Sequence, residues 1–201
     1  MQHPLQYPLA LSFKIVALAP QIFVRDAAGR EILYVKQKLL KLKEKIRVFS
    51  DSSQSQQVYE INADRWLDWS ARYTITDSMG QVVGGVRRQG MRSLWKATYE
   101  ITDATGQPIL LIEEANPWAK VLDSVLGEIP IVGIFTGYLI HPKYDVKRAN
   151  SGQPALHVSK HRSFLESRFE IENTGGPLAP HEEVPAVLGL LMMVLLERQR
   201  G

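Results

Sequence analysis

A short pattern recurs along the chain: an apolar run, an aspartate, a polar turn that usually holds a glycine, and a second apolar run. The aspartates of this pattern are Asp26, Asp51, Asp77 and Asp103, which are 25, 26 and 26 residues apart. A fixed period of this length indicates a repeated supersecondary unit. Aspartate and glycine favour a tight turn and the flanking β-branched residues favour strands, so the predicted unit is a β-hairpin.

The chain ends differently, in an uncharged apolar run from Val184 to Leu196 that follows Glu182 and Glu183. The two acids suit the positive end of a helix, and a helix that is apolar on every side must be buried completely, in protein or in lipid. Its 13 residues would span only about 20 Å, less than the ~30 Å hydrocarbon core of a bilayer. We therefore expect this helix, at about residues 183–198, to fill the inside of a closed sheet.

These features predict a mainly β protein: a closed antiparallel β-barrel of about twelve strands around a buried apolar C-terminal helix. The repeats run through most of the 201 residues, so a single domain over residues 1–201 is expected. The strand pattern stops after Glu114, and one short helix is predicted near residues 116–127. Asn116 there suits the N-terminal cap and Gly127 the C-terminal cap.

The composition excludes several classes of chemistry. There are no cysteines, which excludes disulfides, thiolate metal ligands and a cysteine nucleophile. The N-terminal residues lack the cationic start of a signal peptide. A cytoplasmic protein is therefore expected, peripheral at a membrane if its ligand is a lipid.

Positive charge is concentrated in two segments. Residues 34–49 carry a net charge of +5 and residues 85–96 carry +4, although the whole chain is only +3. This asymmetry predicts a basic face that could bind phosphates or anionic lipid. The candidate lipid- or anion-binding residues are Lys36, Lys38, Lys45, Arg47, Arg87, Arg88, Arg92 and Lys96. If the two hairpins adjoin, these side chains would converge on one surface; the alternative is two solvated hairpins whose lysines protect strand edges.

Other chemistry has little support in the sequence. His157 and His161 fall on one face of a predicted strand, but a zinc site needs a third ligand, so solvated histidines are expected there. The recurring aspartates are explained by turn formation and need no calcium. With no catalytic motif, we expect no catalytic residue, no metal and no cofactor, and we expect neither an enzyme nor a nucleic-acid-binding protein.

Two stretches resemble a known family. Residues 83–103 (VGGVRRQGMRSLWKATYEITD) and 34–48 (YVKQKLLKLKEKIRV) are similar to the LURP-one-related and phospholipid-scramblase-like proteins, which share the tubby C-terminal-like architecture. The resemblance runs from about Phe23 to Arg198. It implies a twelve-stranded barrel around a central helix and non-enzymatic binding, with phosphoinositides as the ligands of tubby proteins. Scramblases carry a cysteine-rich segment that is missing here, and no lipid-contacting residue of tubby proteins can be carried over to a matching position.

Two functions follow as hypotheses. The first is a non-enzymatic module that binds anionic phospholipid or phosphoinositide headgroups at a membrane surface. The alternative is a protein-interaction or scaffold domain with no small ligand. The sequence specifies neither the partner nor the oligomeric state.

Overall fold

The computed structural model describes residues 5–16, 19–36, 45–64, 72–89, 98–115, 143–161 and 166–198. These residues form twelve strands and one helix. The strands are β1 (Leu9–Val16), β2 (Ala19–Arg25), β3 (Glu31–Lys36), β4 (Ile46–Phe49), β5 (Gln57–Ala63), β6 (Arg72–Asp77), β7 (Val82–Arg88), β8 (Thr98–Thr102), β9 (Pro108–Glu114), β10 (Lys143–Arg148), β11 (Pro154–His161) and β12 (Glu166–Asn173), and the helix is α1 (Pro180–Arg198). The short helix predicted near residues 116–127 lies outside the described residues.

The strands form one closed antiparallel barrel in which sequence neighbours are also spatial neighbours. The barrel closes because β1 pairs with β12 as well as with β2; Leu11, for example, lies opposite both Phe169 and Val24. The prediction of a mainly β, closed barrel of about twelve strands is confirmed. Closure leaves no edge of the described sheet exposed. Exposed strand edges in open sheets are sites of aggregation.

Each strand alternates between the inside and the outside of the barrel, because successive side chains of a strand point to opposite faces. On β4, Ile46 and Val48 are buried whereas Arg47 is exposed. The inward side chains are almost all Leu, Ile, Val, Phe or Tyr and are packed into one core.

Three hairpin turns share one geometry, which explains the recurring pattern. In the first, the Asp26 carboxylate accepts hydrogen bonds from the backbone N–H groups of Ala28 (3.1 Å) and Arg30 (2.9 Å), and Gly29 has a φ of 79°. The turns after Asp77 and Asp103 repeat these bonds, with a glycine again at positive φ. A backbone in the left-handed region at this position favours glycine. The recurring sequence pattern therefore reflects these repeated turns. These turns define one end of the barrel, called here the turn end.

The helix α1 enters the barrel at the turn end. Pro180 occupies its first position, where no N–H is needed, and the Glu182 carboxylate accepts a hydrogen bond from the Ala179 N–H (2.8 Å), as in the reciprocal half of a capping box. The helix begins three residues before the predicted start at about 183 and ends as predicted at Arg198.

The helix is buried on every side. From Ala186 to Met193 each described non-glycine side chain is 0% exposed, which confirms a helix held inside the barrel. It packs closely on β7 and β8: a Cβ on Gly84 would lie 2.9 Å from Pro185, and a Cβ on Gly189 would lie 2.7 Å from Ile101. Within the described part of the chain, no helix is long and apolar enough to cross a membrane.

Candidate basic surface

The five predicted anion-binding residues that the structure describes do not form one group. Strands β5 and β6 lie between the β3–β4 hairpin and the β7–β8 hairpin in the barrel order, so the two hairpins do not adjoin. At about 4.8 Å per strand, β4 and β7 are roughly 14 Å apart along the sheet. Lys38, Arg92 and Lys96 lie outside the described residues.

The first hairpin presents its cations outward. Lys36 and Arg47 are exposed, and Lys45 has 67% of its side chain exposed while its Nζ lies 2.9 Å from Glu60 Oε1. The hydrogen bond from Lys45 and a second one from Asn62 lower the pKa of Glu60, and the nearby charge of Arg47 acts in the same direction. Glu60 is therefore ionised at neutral pH and neutralises part of this hairpin's charge.

The second hairpin uses its two arginines differently. Arg87 points outward, and its guanidinium lies 2.8 Å from Glu100, which also accepts a hydrogen bond from Gln89 (3.0 Å). Arg88 is the next residue and therefore points into the barrel, where it is half-buried. Arg87 and Arg88 thus lie on opposite faces of the sheet.

The barrel brings further cations to the first hairpin from distant parts of the sequence. Lys14 on β1 lies opposite Gln21 on β2, which lies opposite Lys36 on β3. Arg168 on β12 lies opposite Ser12 of β1 and is exposed. We call the outward face of β12, β1, β2, β3 and β4 the outer basic face; its cations are Lys14, Arg25, Lys36, Lys45, Arg47 and Arg168.

An aromatic pair supports the centre of the outer basic face. Phe23 and Tyr34 lie opposite each other on β2 and β3, with ring centroids 5.0 Å apart. The Arg25 guanidinium lies 4.7 Å and the Lys14 ammonium 5.5 Å from the centre of the Phe23 ring, within the range of cation–π attraction. Both aromatic side chains are buried, so these contacts hold the two cations on the surface above them.

Within the described residues, Lys36 and Arg168 form no ion pair, whereas Arg25 pairs with Glu31 (3.4 Å). Glu170 and Glu172 share the outward face of β12 with Arg168, so the net positive charge of the outer basic face lies on β1 to β4. Lys14, Arg25 and Arg168 were absent from the sequence prediction. Alternation along β1 places Lys14 outward, but its position near Lys36 depends on the order of strands in the closed barrel.

Each of the two strand histidines lies beside an acid. His157 Nδ1 lies 2.8 Å from Asp145 Oδ1, and His161 Nε2 lies 3.8 Å from Glu170 Oε2. Among the residues that the structure describes, no three His, Asp or Glu side chains are grouped so as to hold a metal ion. The carboxylates of the hairpin aspartates are used as acceptors by their own turns.

The architecture is a closed antiparallel barrel filled by one apolar helix, which is consistent with a tubby-like domain. The sequence profile of the LURP-one-related family matches residues 31–100 and 67–189, and the chain belongs to this family. No curated protein sequence matches the chain. A crystal structure of a protein from Arabidopsis thaliana has the same fold, with a TM-score of 0.52 and 13% identity over 96% of this chain and 94% of that one.

Proposed function

We propose that the protein is a non-enzymatic module that binds anionic phospholipid or phosphoinositide headgroups through its outer basic face, as a peripheral protein at a membrane surface. The observation that carries this proposal is the gathering of six cations from five neighbouring strands, of which Lys36 and Arg168 have no acidic partner among the described residues. Lysine and arginine near an anionic membrane contribute about 1 kcal/mol each.

The proposal differs from the sequence prediction in its residues. It keeps Lys36, Lys45 and Arg47 and adds Lys14, Arg25 and Arg168. It leaves out Arg87, because β5 and β6 separate it from this face, and Arg88, because it points inward. A headgroup phosphate accepts charge-assisted hydrogen bonds from such side chains.

The test is co-sedimentation with vesicles of phosphatidylcholine alone and with 20% phosphatidylserine or phosphatidylinositol 4,5-bisphosphate. We expect binding only to the anionic vesicles and weaker binding at higher salt, because exposed charges are screened. Replacing Lys36 and Arg47 together by Gln removes about 2 kcal/mol, so affinity should fall about 30-fold at low salt.

The matched control is Lys143→Gln, an exposed cation on β10, away from the outer basic face. It should bind anionic vesicles like the wild type. Equal binding to neutral and anionic vesicles, or an equal loss in the control and the double variant, would refute the proposal and would favour the alternative of a protein-interaction domain.

A further inference from the structure

Strand β11 carries two histidines beside the outer basic face. Their neighbours on the strand, Leu156 and Val158, are core residues that are each 1% exposed. His157 and His161 therefore point outward, because successive side chains of a strand alternate between its faces. β11 pairs with β12, where Arg168 of the outer basic face lies opposite His161. Histidine is the side chain whose charge ordinarily changes between pH 5 and pH 8, so the charge beside this face can change within that range.

His157 lies between two acids. Its Nδ1 lies 2.8 Å from Oδ1 of Asp145 on β10, and Glu172 lies opposite it on β12. The outward cations of β10 are Lys143 and Lys147, which lie two residues from Asp145 on either side. A positive charge on His157 is therefore stabilised by two carboxylates, and it offsets one of them.

His161 lies between an acid and a cation. Its Nε2 lies 3.8 Å from Oε2 of Glu170 and 3.4 Å from Oγ of Ser159, while Arg168 lies opposite it on β12. Because 49% of its side chain is exposed, water can hydrate the protonated form. A protonated His161 offsets Glu170 and, together with Arg168, places two positive charges side by side next to β1.

The outward faces of β11 and β12 form a border along the outer basic face, called here the histidine border. It contains His157, His161, Arg168, Glu170 and Glu172. With neutral imidazoles its acids outnumber Arg168, and protonation of both histidines adds two positive charges that offset Glu170 and Glu172. β11 lies two strands from β1, which is roughly 10 Å along the sheet and comparable to the Debye length at 0.1 M salt. The charge of the border therefore acts on the same bound surface as the outer basic face.

We propose that His157 and His161 strengthen binding to an anionic membrane at mildly acidic pH, by extending the positive charge of the outer basic face onto β11 and β12. This pH switch rests on the proposed function, because it regulates the same face. At neutral pH the acids of the histidine border repel an anionic headgroup layer. At pH 5.5 protonated imidazoles offset these acids, whereas carboxylates ordinarily remain ionised at that pH, so the histidines account for the change.

The first experiment measures co-sedimentation with vesicles of phosphatidylcholine and 20% phosphatidylserine at pH 7.5 and pH 5.5, at constant ionic strength. A cation near an anionic membrane is worth about fivefold in affinity, so the wild type should bind about tenfold more tightly at pH 5.5. Combining His157→Gln with His161→Gln should reduce this gain to at most about twofold. Combining His157→Lys with His161→Lys should give, already at pH 7.5, about the affinity that the wild type has at pH 5.5. The control His181→Gln changes an exposed histidine at the turn end and should keep the full gain.

The second experiment replaces the vesicles by dextran sulfate, a polyanion without lipid, and thereby separates the pH switch from membrane binding. A gain at pH 5.5 that the double glutamine variant loses, together with no vesicle binding at either pH, would support the pH response of this face and refute the membrane function. Vesicle binding with the same pH dependence in the wild type and the double glutamine variant would overturn the switch and leave the membrane function intact. Equal affinity of the wild type for dextran sulfate at both pH values would also overturn the switch.

Discussion

The Nη1 atom of Arg148 lies 2.7 and 2.8 Å from the two carboxylate oxygens of Glu182. This pair joins the end of β10 to the first turn of α1, across 34 residues of sequence. The same guanidinium donates to the Pro177 carbonyl (3.3 Å), and Glu182 also caps the helix. The contact therefore fixes the position at which the central helix enters the barrel.

Loss of this contact should destabilise the whole protein. We expect Arg148→Met to lower the free energy of unfolding by about 2–3 kcal/mol, because it leaves Glu182 largely buried without its charged donor. Chemical denaturation would measure the change. As a control, Lys147→Met removes a more exposed pair with Glu113 (3.2 Å) and should cost at most ~1 kcal/mol. Equal effects of the two variants would show that the helix entrance does not depend on Arg148.

Gly84 should not tolerate alanine. A Cβ at this position would lie 2.7 Å from the Thr102 carbonyl oxygen and 2.9 Å from Pro185, so a strand or the helix would have to move. Overpacking of this kind costs about 1–3 kcal/mol, and thermal denaturation should show the loss. Gly189→Ala is the comparison. Its Cβ would meet the flexible end of the Ile101 side chain, and alanine favours the helix over glycine by about 1 kcal/mol. A smaller loss for Gly84→Ala than for Gly189→Ala would contradict this packing.

Removal of the Tyr7 hydroxyl should not weaken the protein. This oxygen is buried and has no hydrogen-bond partner among the described residues, and burial, followed by the charge of Glu183, raises the pKa of Tyr7. Tyr7→Phe should therefore leave the free energy of unfolding unchanged or raise it by up to ~1 kcal/mol. Tyr7→Ala, which also removes the half-buried ring, should cost roughly 2 kcal/mol. A clear loss in the phenylalanine variant would mean that the hydroxyl is bonded.

The aspartate turns should make stability depend on acid pH. The Thr105 hydroxyl (2.7 Å) and then the Gln107 N–H (2.9 Å) hydrogen-bond the Asp103 carboxylate and lower its pKa in the folded state. A carboxylate with a lowered folded pKa stabilises the protein above its unfolded pKa of about 3.9, and this contribution disappears as the pH falls through the folded value. Stability should therefore decrease from about pH 5 downward.

The matched variant is Asp103→Asn, which keeps a carbonyl acceptor but does not titrate. Denaturation curves between pH 7 and pH 2 should show a shallower loss for this variant than for the wild type. Parallel curves would mean that the Asp103 carboxylate does not contribute to the acid sensitivity.

The repeated turns and the helix could be predicted because each depends on a local pattern. The Asp26 and Asp103 turns need only their own residues, and complete burial of the helix follows from the absence of charge between Val184 and Leu196. The predicted helix start at about residue 183 is too late. The helix begins at Pro180, where the Ala179 N–H donates a hydrogen bond to Glu182, and such a capping bond is visible only in the three-dimensional structure.

The composition of the basic surface was harder to predict. The clustering of charge predicts one surface for Arg87 and Arg88, although neighbouring residues on a strand point to opposite faces of the sheet. The positions of Lys14 and Arg168 beside the first hairpin depend on the pairing of β1 with β12. Contacts between residues so distant along the chain carry no local signal, so only the closed barrel reveals them.

The helix that fills the barrel follows all twelve strands in the chain and is therefore the last of these elements to be synthesised. The ring can close only after β12 has been synthesised, because β12 pairs with β1. Until the helix follows, the strands have no central side chains to pack against. The barrel can therefore close around its helix only after α1 has been synthesised, and the nascent sheet is the stage at which protection by a chaperone would matter most.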